Sequence, residues 1–444
     1  MTIRLFLVAF VLLVLPRQGM AQGAEQFVRD AVRAATAVQQ GGLATERDEA
    51  LLARSRAQRL PSLTLLAQHV ELSGGADIGA LINPAFAALN QLTGTTNFPT
   101  DLTFTFPQRM DARARLAMPL FDPTISAAIL SARASRDGSQ AFEAATARQI
   151  DAAVRVGLLR HAALDEVVRL RRVVNGTLDE QLRVVERQAA EGLITPDVVL
   201  RARADQREGS QRLLEVERQR DAARRAINRV ARRPLDAAIP QVHDTTFVLR
   251  LPSTRDDAMA AALAREELRG ADAGIAAAQA GERLARAATL PTLTAALDVG
   301  FQGSRWQFTR DNDLRQLTVG ASWTPFQSGR DAKQRTAARL DRERAELARQ
   351  DAADAIALEV ADAWDAHATA RAALIPAGER EAAARRAWQL LQRRHAEGLA
   401  TWLELSLART AATAAETDLI LARYAVAETA ITLARVAALT PLAR

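Results

Sequence analysis

Residues 190–195 read Ala190-Glu191-Gly192-Leu193-Ile194-Thr195, and residues 396–401 read Ala396-Glu397-Gly398-Leu399-Ala400-Thr401. The two stretches lie 206 residues apart (398 minus 192). Upstream, Leu60-Pro61-Ser62-Leu63 is echoed by Leu290-Pro291-Thr292-Leu293 at an offset of 230 (290 minus 60). Pro119 and Pro325, each closely followed by a Phe (Phe121, Phe326), return to 206. The excess of 24 residues (230 minus 206) falls between the Leu-Pro step and Pro119, so the first copy carries one long extra loop. A period of this size has to be read before any fold is assigned. Here it is a tandem duplication of one unit over nearly the whole chain.

The glycines sit where a long apolar periodicity stops and another starts. Behind Gly398 the stripe runs Leu405, Ala408, Ala412, Ala415, Leu419, Ala422, Val426, Thr429, Leu433 and Val436. Subtracting 206 gives Val199, Ala202, Gln206, Gly209, Leu213, Val216, Arg220, Ala223, Ile227 and Val230, of which eight of ten stay apolar or small. From about Thr124 to Ala190 there is no proline, which allows one helix of roughly 100 Å at 1.5 Å per residue. Its stripe is Val156, Leu159, Ala163, Val167, Leu170, Val174, Leu178, Leu182, Val185 and Ala189. Stripes this narrow suit seams between parallel-lying helices rather than a globular core. Pro376 is expected to kink or break the second long helix after Ile375, because it removes a hydrogen bond.

Strands are expected ahead of each long helix. Leu293, Ala295, Leu297, Val299 and Phe301 alternate with Thr294, Ala296, Asp298 and Gly300, and Leu317, Val319, Ala321 and Trp323 with Thr318, Gly320 and Ser322. That is a period of two, at lengths close to those of tilted membrane strands. The first-copy pair, about 62–72 and 113–120, is less regular because of His69 and Glu71, and 73–102 reads as the long loop. Trp306, Phe308 and Trp323 are candidate interfacial aromatics. Short helices over about 25–59 and 256–289 end at the two Leu-Pro steps, where proline disfavours helix for its predecessor. The organisation is therefore a leader at 1–21, a first repeat at 22–232, a linker at 233–255 with Pro234, Pro240 and Pro252, and a second repeat at 256–444.

Composition narrows the function. Aromatics are 4%, and the 58 basic and 52 acidic residues are interspersed, with no basic patch interleaved with aromatics, so nucleic acid is not an expected partner. Arg4, the apolar run Leu5–Leu15 and Gly19-Met20-Ala21 fit a cleaved secretory signal. There is no cysteine, hence neither disulfide nor lipid-modified Cys. No later run of 18 apolar residues occurs, so a membrane role must use strands. Four membrane-length strands cannot close a barrel, and an open edge is not tolerated in lipid, so identical copies would have to complete it around a cyclic axis. A soluble hairpin packed on helices, within a soluble periplasmic coiled-coil structural or adaptor protein, is the competing reading. It explains the stripes without explaining the strands and the signal together.

The chain resembles the TolC-like outer membrane efflux proteins, on the Ala-rich helix ending at Leu290-Pro291-Thr292-Leu293, Trp323-Thr324-Pro325-Phe326-Gln327-Ser328-Gly329, Arg394-His395-Ala396-Glu397-Gly398-Leu399 and Thr401-Trp402-Leu403-Glu404-Leu405. The resemblance implies a mainly α fold with a membrane β-barrel. Duplicated antiparallel hairpins form an α-barrel, and four strands per chain join a 12-stranded barrel in a homotrimer embedded in outer membrane lipid. It also implies an exit duct working passively with a periplasmic adaptor (membrane fusion protein) and an inner-membrane pump.

It further implies that the adaptor meets the hairpin tips at Gly192, Leu193, Thr195, Gly398, Leu399 and Thr401. An acidic residue six positions after the tip glycine is Glu404 in the second copy. In the first that place is Val198, with Asp197 one residue early. Glu404 and Asp197 are accordingly the candidate pore-aperture residues, against a plain role as helix-start acids favoured by the macrodipole. No GxSxG, P-loop, HExxH or cysteine nucleophile is present. The five histidines (His69, His161, His243, His367, His395) lack metal-ligand spacing. No enzymatic activity, cofactor or metal is expected.

Overall fold

A computed structural model describes residues 22–70, 79–103, 110–247, 249–303 and 309–439. The expected leader and the aromatics Trp306 and Phe308 lie outside the described residues. In chain order the first repeat contains α1 (22–34), α2 (Thr36–Ala57), β1 (Ser62–His69), α3 (Gly79–Thr93), β2 (Met110–Phe121), α4 (Pro123–Ala190) and α5 (Pro196–Val230). The second contains α6 (Arg255–Ala262), α7 (Glu266–Ala287), β3 (Thr292–Gly303), a 3-10 turn (Arg310–Asn312), β4 (Asp313–Ser322), α8 (Arg330–Ala396) and α9 (Trp402–Val436). The C-terminal end of α4 and both ends of α5 map onto those of α8 and α9 at the offset of 206: 190 to 396, 196 to 402 and 230 to 436.

The chain divides into two compact units, and neither is a repeat. One comprises 1–48, 135–275 and 344–444, the other 49–134 and 276–343, so each repeat contributes to both. The first unit is helical. One core joins Val28 and Val32 of α1, Val154, Leu158 and Val167 of α4, Ile227 of α5, and Tyr424 and Ile431 of α9. A second joins Ala258 and Ala262 of α6, Leu268 of α7, Ile356, Val360 and Ala363 of α8, and Leu433 and Val436 of α9. The second core is the first one repeated. Offsets of 230 and 206 carry Val28, Val32, Val38, Ile150, Val154, Ile227 and Val230 onto Ala258, Ala262, Leu268, Ile356, Val360, Leu433 and Val436. Volume is traded within the pattern. Gly157 faces Ile227, whose Cγ1 would lie 3.0 Å from an added Cβ, whereas the equivalent Ala363 faces the less crowded Leu433. All ten positions of the α9 stripe, and all ten of its α5 counterpart, are at least half-buried.

Several expectations are corrected. The first short helix is interrupted at Ala35, and its counterpart at 263–265. The long loop contains α3, with Pro84 inside it. Pro376 does not break the second long helix, since α8 runs unbroken for 67 residues. One missing N–H is absorbed when some three dozen intrahelical bonds flank it on the upstream side alone. The inter-repeat linker is a packed strap. Val242 and Phe247 are buried in the first core, Arg155 lies over the Phe247 ring at 5.0 Å, and Asn228 Nδ2 donates to the carbonyls of Leu235 and Ala237.

The second unit holds a four-stranded antiparallel meander in the order β1-β2-β3-β4. β2 and β3 are longer than expected, at 12 residues each, whereas β1 ends at His69. Pro119 lies inside β2 at a register irregularity between Pro119 and Phe121. It is tolerated because β1 pairs only as far as Ala117, which leaves Pro119 with a partner on one side. Among the described residues no helix is long and apolar enough to cross a membrane.

Candidate functional site: hairpin tips and membrane sheet

The tips follow from two glycines. Gly192 has φ 72° and Gly398 φ 75°, in the left-handed region that glycine enters without a Cβ clash. Both close Schellman turns. Leu193 N–H donates to the Gln188 carbonyl and Gly192 N–H to Ala189, while Leu399 N–H donates to Arg394 and Gly398 N–H to His395. The residue after each glycine projects into solvent, Leu193 at 68% and Leu399 at 64% exposure.

The next helix starts differently in the two copies. Thr401 forms a capping box: the Glu404 N–H donates to Thr401 Oγ1 at 3.3 Å, and Glu404 Oε2 accepts from the Thr401 N–H and hydroxyl, both at 2.8 Å. Thr195 is extended like an N-cap, but its side chain makes no capping bond, and Pro196 follows at the first helical position. Its hydroxyl serves Asp197 instead. The Thr401 backbone and hydroxyl bonds hold the Glu404 carboxyl below its ordinary range, and the Thr195 hydroxyl does the same for Asp197. Both acids are exposed.

The second tip carries further bracing. His395 donates through Nδ1 to the Ala400 carbonyl at 2.8 Å, and its ring meets Trp402 edge-on at 6.0 Å. His395 is thus a fastener of the tip, and His367 likewise meets Thr429 across α8 and α9 at 3.1 Å. Sequence reading assigned neither role to these scattered histidines. It also missed Arg409, which is buried in the α9 seam. Its guanidinium bonds Gln181 of α4 and reaches Asp205 of α5 at 2.8 Å, and Ser406 donates to the same Asp205 at 2.6 Å. The available signal was an arginine next to Ala408 in an otherwise apolar stripe. These bonds set the start of α9 beside α5, so both hairpins of one chain end side by side.

The sheet presents two unlike faces, fixed by register. On one, Leu63, Leu65 and Ala67 of β1 lie beside Leu116, Ala114 and Ala112 of β2. Those lie beside Leu297, Val299 and Phe301 of β3, and Leu317 and Val319 extend the face on β4. On the other face are Thr64, Gln68, Asp111, Arg113, Arg115, Asp298 and Gln316. Arg115 and Asp298 form a bidentate cross-strand pair at 2.7 and 2.9 Å, and the Asp298 side chain is only 1% exposed. The charged face pairs Arg115 with Asp298 and Arg113 with Asp111, while the apolar face lies bare, with Leu65 at 78%, Leu317 at 73% and Val319 at 63% exposure. A sheet in water inverts this arrangement; a sheet in lipid requires it. Near the helix-bearing end, Trp323 donates its indole N–H to the Thr289 carbonyl at 3.1 Å, a polar tip on an apolar body at the rim of the apolar face.

Known proteins agree. Residues 259–438 match the family model described as outer membrane efflux protein. The match falls within the second repeat. Of solved structures, the chain is similar to the Campylobacter jejuni CmeC outer membrane channel at 14% identity and TM-score 0.79, covering 94% of this chain and 85% of that one. The outer membrane protein VceC of Vibrio cholerae matches at 16% and 0.77, covering 93% and 95%. The open state of the Neisseria gonorrhoeae MtrE outer membrane channel matches at 19% and 0.74, covering 94% and 88%. At these identities the likeness concerns the fold. No curated protein matches the sequence.

Proposed function

We propose that this protein is the outer-membrane exit duct of a tripartite efflux or secretion system, a homotrimer through which substrate moves passively while an inner-membrane pump supplies the energy. The carrying observation is the four-stranded sheet, bare and apolar on one face, with β1 and β4 as unpaired edges. Unpaired edges cost several kcal/mol per orphaned group in hydrocarbon, so β4 of one copy pairs with β1 of the next until the ring closes. Three copies give 12 strands, four from each chain. The charged face, with Arg113, Arg115 and Asp298, then lines the lumen.

The tips at Gly192, Leu193, Thr195, Gly398, Leu399 and Thr401 receive a periplasmic adaptor, their exposed leucines supplying apolar contact. Glu404 and Asp197 stand at the aperture. The channels CmeC and MtrE support the reading by their fold. Membrane fractionation with heat-modifiable gel mobility tests it. Recovery as a band of three chains in the outer membrane is the expected result, and recovery only as soluble periplasmic protein overturns it.

A further inference from the structure

Helix α3 and the strap after it form a small module between β1 and β2, at the end of the sheet away from the long helices. Two asparagines one helical face apart hold the strap. Asn83 Nδ2 donates to the Leu102 carbonyl at 2.9 Å and Asn83 Oδ1 accepts from the Leu102 N–H at 3.0 Å. Asn90 repeats the exchange with Phe98 at 2.7 and 3.0 Å, and Phe86 meets Phe98 at 5.7 Å between ring centroids. The polar side chains on this face are thus spent on the module's own backbone.

The opposite face has no cover. Leu81, Ala85, Ala88 and Leu92 recur at spacings of four, three and four, which is one side of a helix. All four are exposed, Leu81 and Leu92 at 83% each. From Gly79 to Thr100 the sequence contains no Asp, Glu, Lys, Arg or His.

We propose that this face of α3 lies on the hydrocarbon of the outer leaflet, anchoring the β1–β2 connection to the lipid beside the barrel. The proposal rests on the membrane reading of the sheet. Three observations select lipid as the occupant. The module follows β1 in the chain, and the apolar face of that strand is also bare at Leu63 and Leu65. From Gly79 to Thr100 there is no ionic desolvation cost, and the Asn83 and Asn90 side chains are satisfied within the module, both of which favour contact with hydrocarbon. At 15 residues it is too short to span and long enough to lie in the interface.

The chain has no cysteine, so single-cysteine probes are unambiguous. Leu92→Cys, and Leu65→Cys on the sheet as reference, are each labelled with an environment-sensitive fluorophore. The purified full-length protein is then placed in phosphatidylcholine vesicles with or without dibrominated acyl chains. Blue-shifted emission at position 92, quenched by brominated lipid to the extent seen at position 65, is the expected result. Quenching at 65 with none at 92 overturns the lipid contact and leaves the membrane sheet standing. Absence at both overturns the sheet reading and this proposal together. Ready oxidation of Ala85→Cys to a disulfide-linked dimer, with no quenching at 92, overturns the proposal in favour of a second copy.

Discussion

Replacing Thr401 with alanine isolates the difference between the two tips. In the second copy Thr401 Oγ1 is the acceptor for the Glu404 N–H at 3.3 Å, and the Glu404 carboxylate returns to the Thr401 N–H at 2.8 Å. Removing the hydroxyl orphans a helix-start donor, which costs about 1 kcal/mol for an N-cap Thr→Ala change. At a factor of ten per ~1.4 kcal/mol, the local opening equilibrium of the first turn of α9 rises about five-fold. Hydrogen exchange read by mass spectrometry on a peptide covering 401–408 should show protection falling by that factor. Thr401→Ser, which keeps an acceptor oxygen, should restore it. In the first copy the Thr195 side chain accepts no backbone N–H, and Pro196 has none to offer. Thr195→Ala should therefore change protection over 195–202 by less than roughly two-fold. Equal losses at both tips, or none at Thr401, would refute the claim that the capping box makes the tips unequal.

Glu404→Gln keeps the capping box, since glutamine also closes it, and removes the charge. Divalent cations applied from the tip side should then block bilayer conductance less than in the parent, while an unchanged block would leave Glu404 as a helix-start residue only. Arg148 and Glu266 form a buried bidentate pair at 3.0 and 2.7 Å joining α4 to α7. Arg148→Met, which strands the carboxylate, should cost on the order of 3–5 kcal/mol in denaturant unfolding, and adding Glu266→Met should recover most of it. Burial pushes the Glu266 carboxyl up, but the Arg148 bonds, its own backbone N–H and the nearby Arg269 together outweigh it, and the net shift is below the ordinary value of 4.5. The stability this pair contributes is therefore fully present above pH ~4.5 and lost as pH falls further, which an acid titration of the parent checks. Finally, a Cβ at Gly300 would stand 2.1 Å from the Ala112 carbonyl oxygen and 2.5 Å from Arg113 Cα, both backbone atoms. Gly300→Val should abolish the folded, heat-modifiable band, whereas Gly320→Val, with open space around it, should keep it.

The duplication, the tip glycines and the long helices were legible because each rests on local chemistry. Glycine at a left-handed turn and a three-four stripe need no knowledge of what lies across the seam. The register of β3 was legible too, since alternation continued from Leu293 to Phe301. The first-copy strands were harder: Leu66 falls on the charged face opposite Arg113 and His69 on the apolar one, so the alternation blurs in the sequence and is restored by pairing. Arg409, Asp205 and His395 were missed for a different reason. Their partners are set by how helices lie against one another, and a burial at position 409 leaves no mark on its neighbours in the chain. Pro376 shows the opposite error, a local rule overruled by the cooperativity of a long helix.

The central joint of the sheet, β2 against β3, connects the first repeat to the second. In the proposed ring every other joint is of the same type but lies between chains. Fusing two units into one polypeptide thus turns a six-membered circle of equals into three handed pairs. Half of the joints become permanent tethers, free to acquire features that need no mirror partner, such as the Arg115–Asp298 bridge and the crowded Gly300. The tips inherit the same licence. A docking partner approaching the mouth meets a braced hairpin and a plain one in alternation, so it can be seated in one rotational phase and rejected in the other, a choice six identical hairpins could never offer.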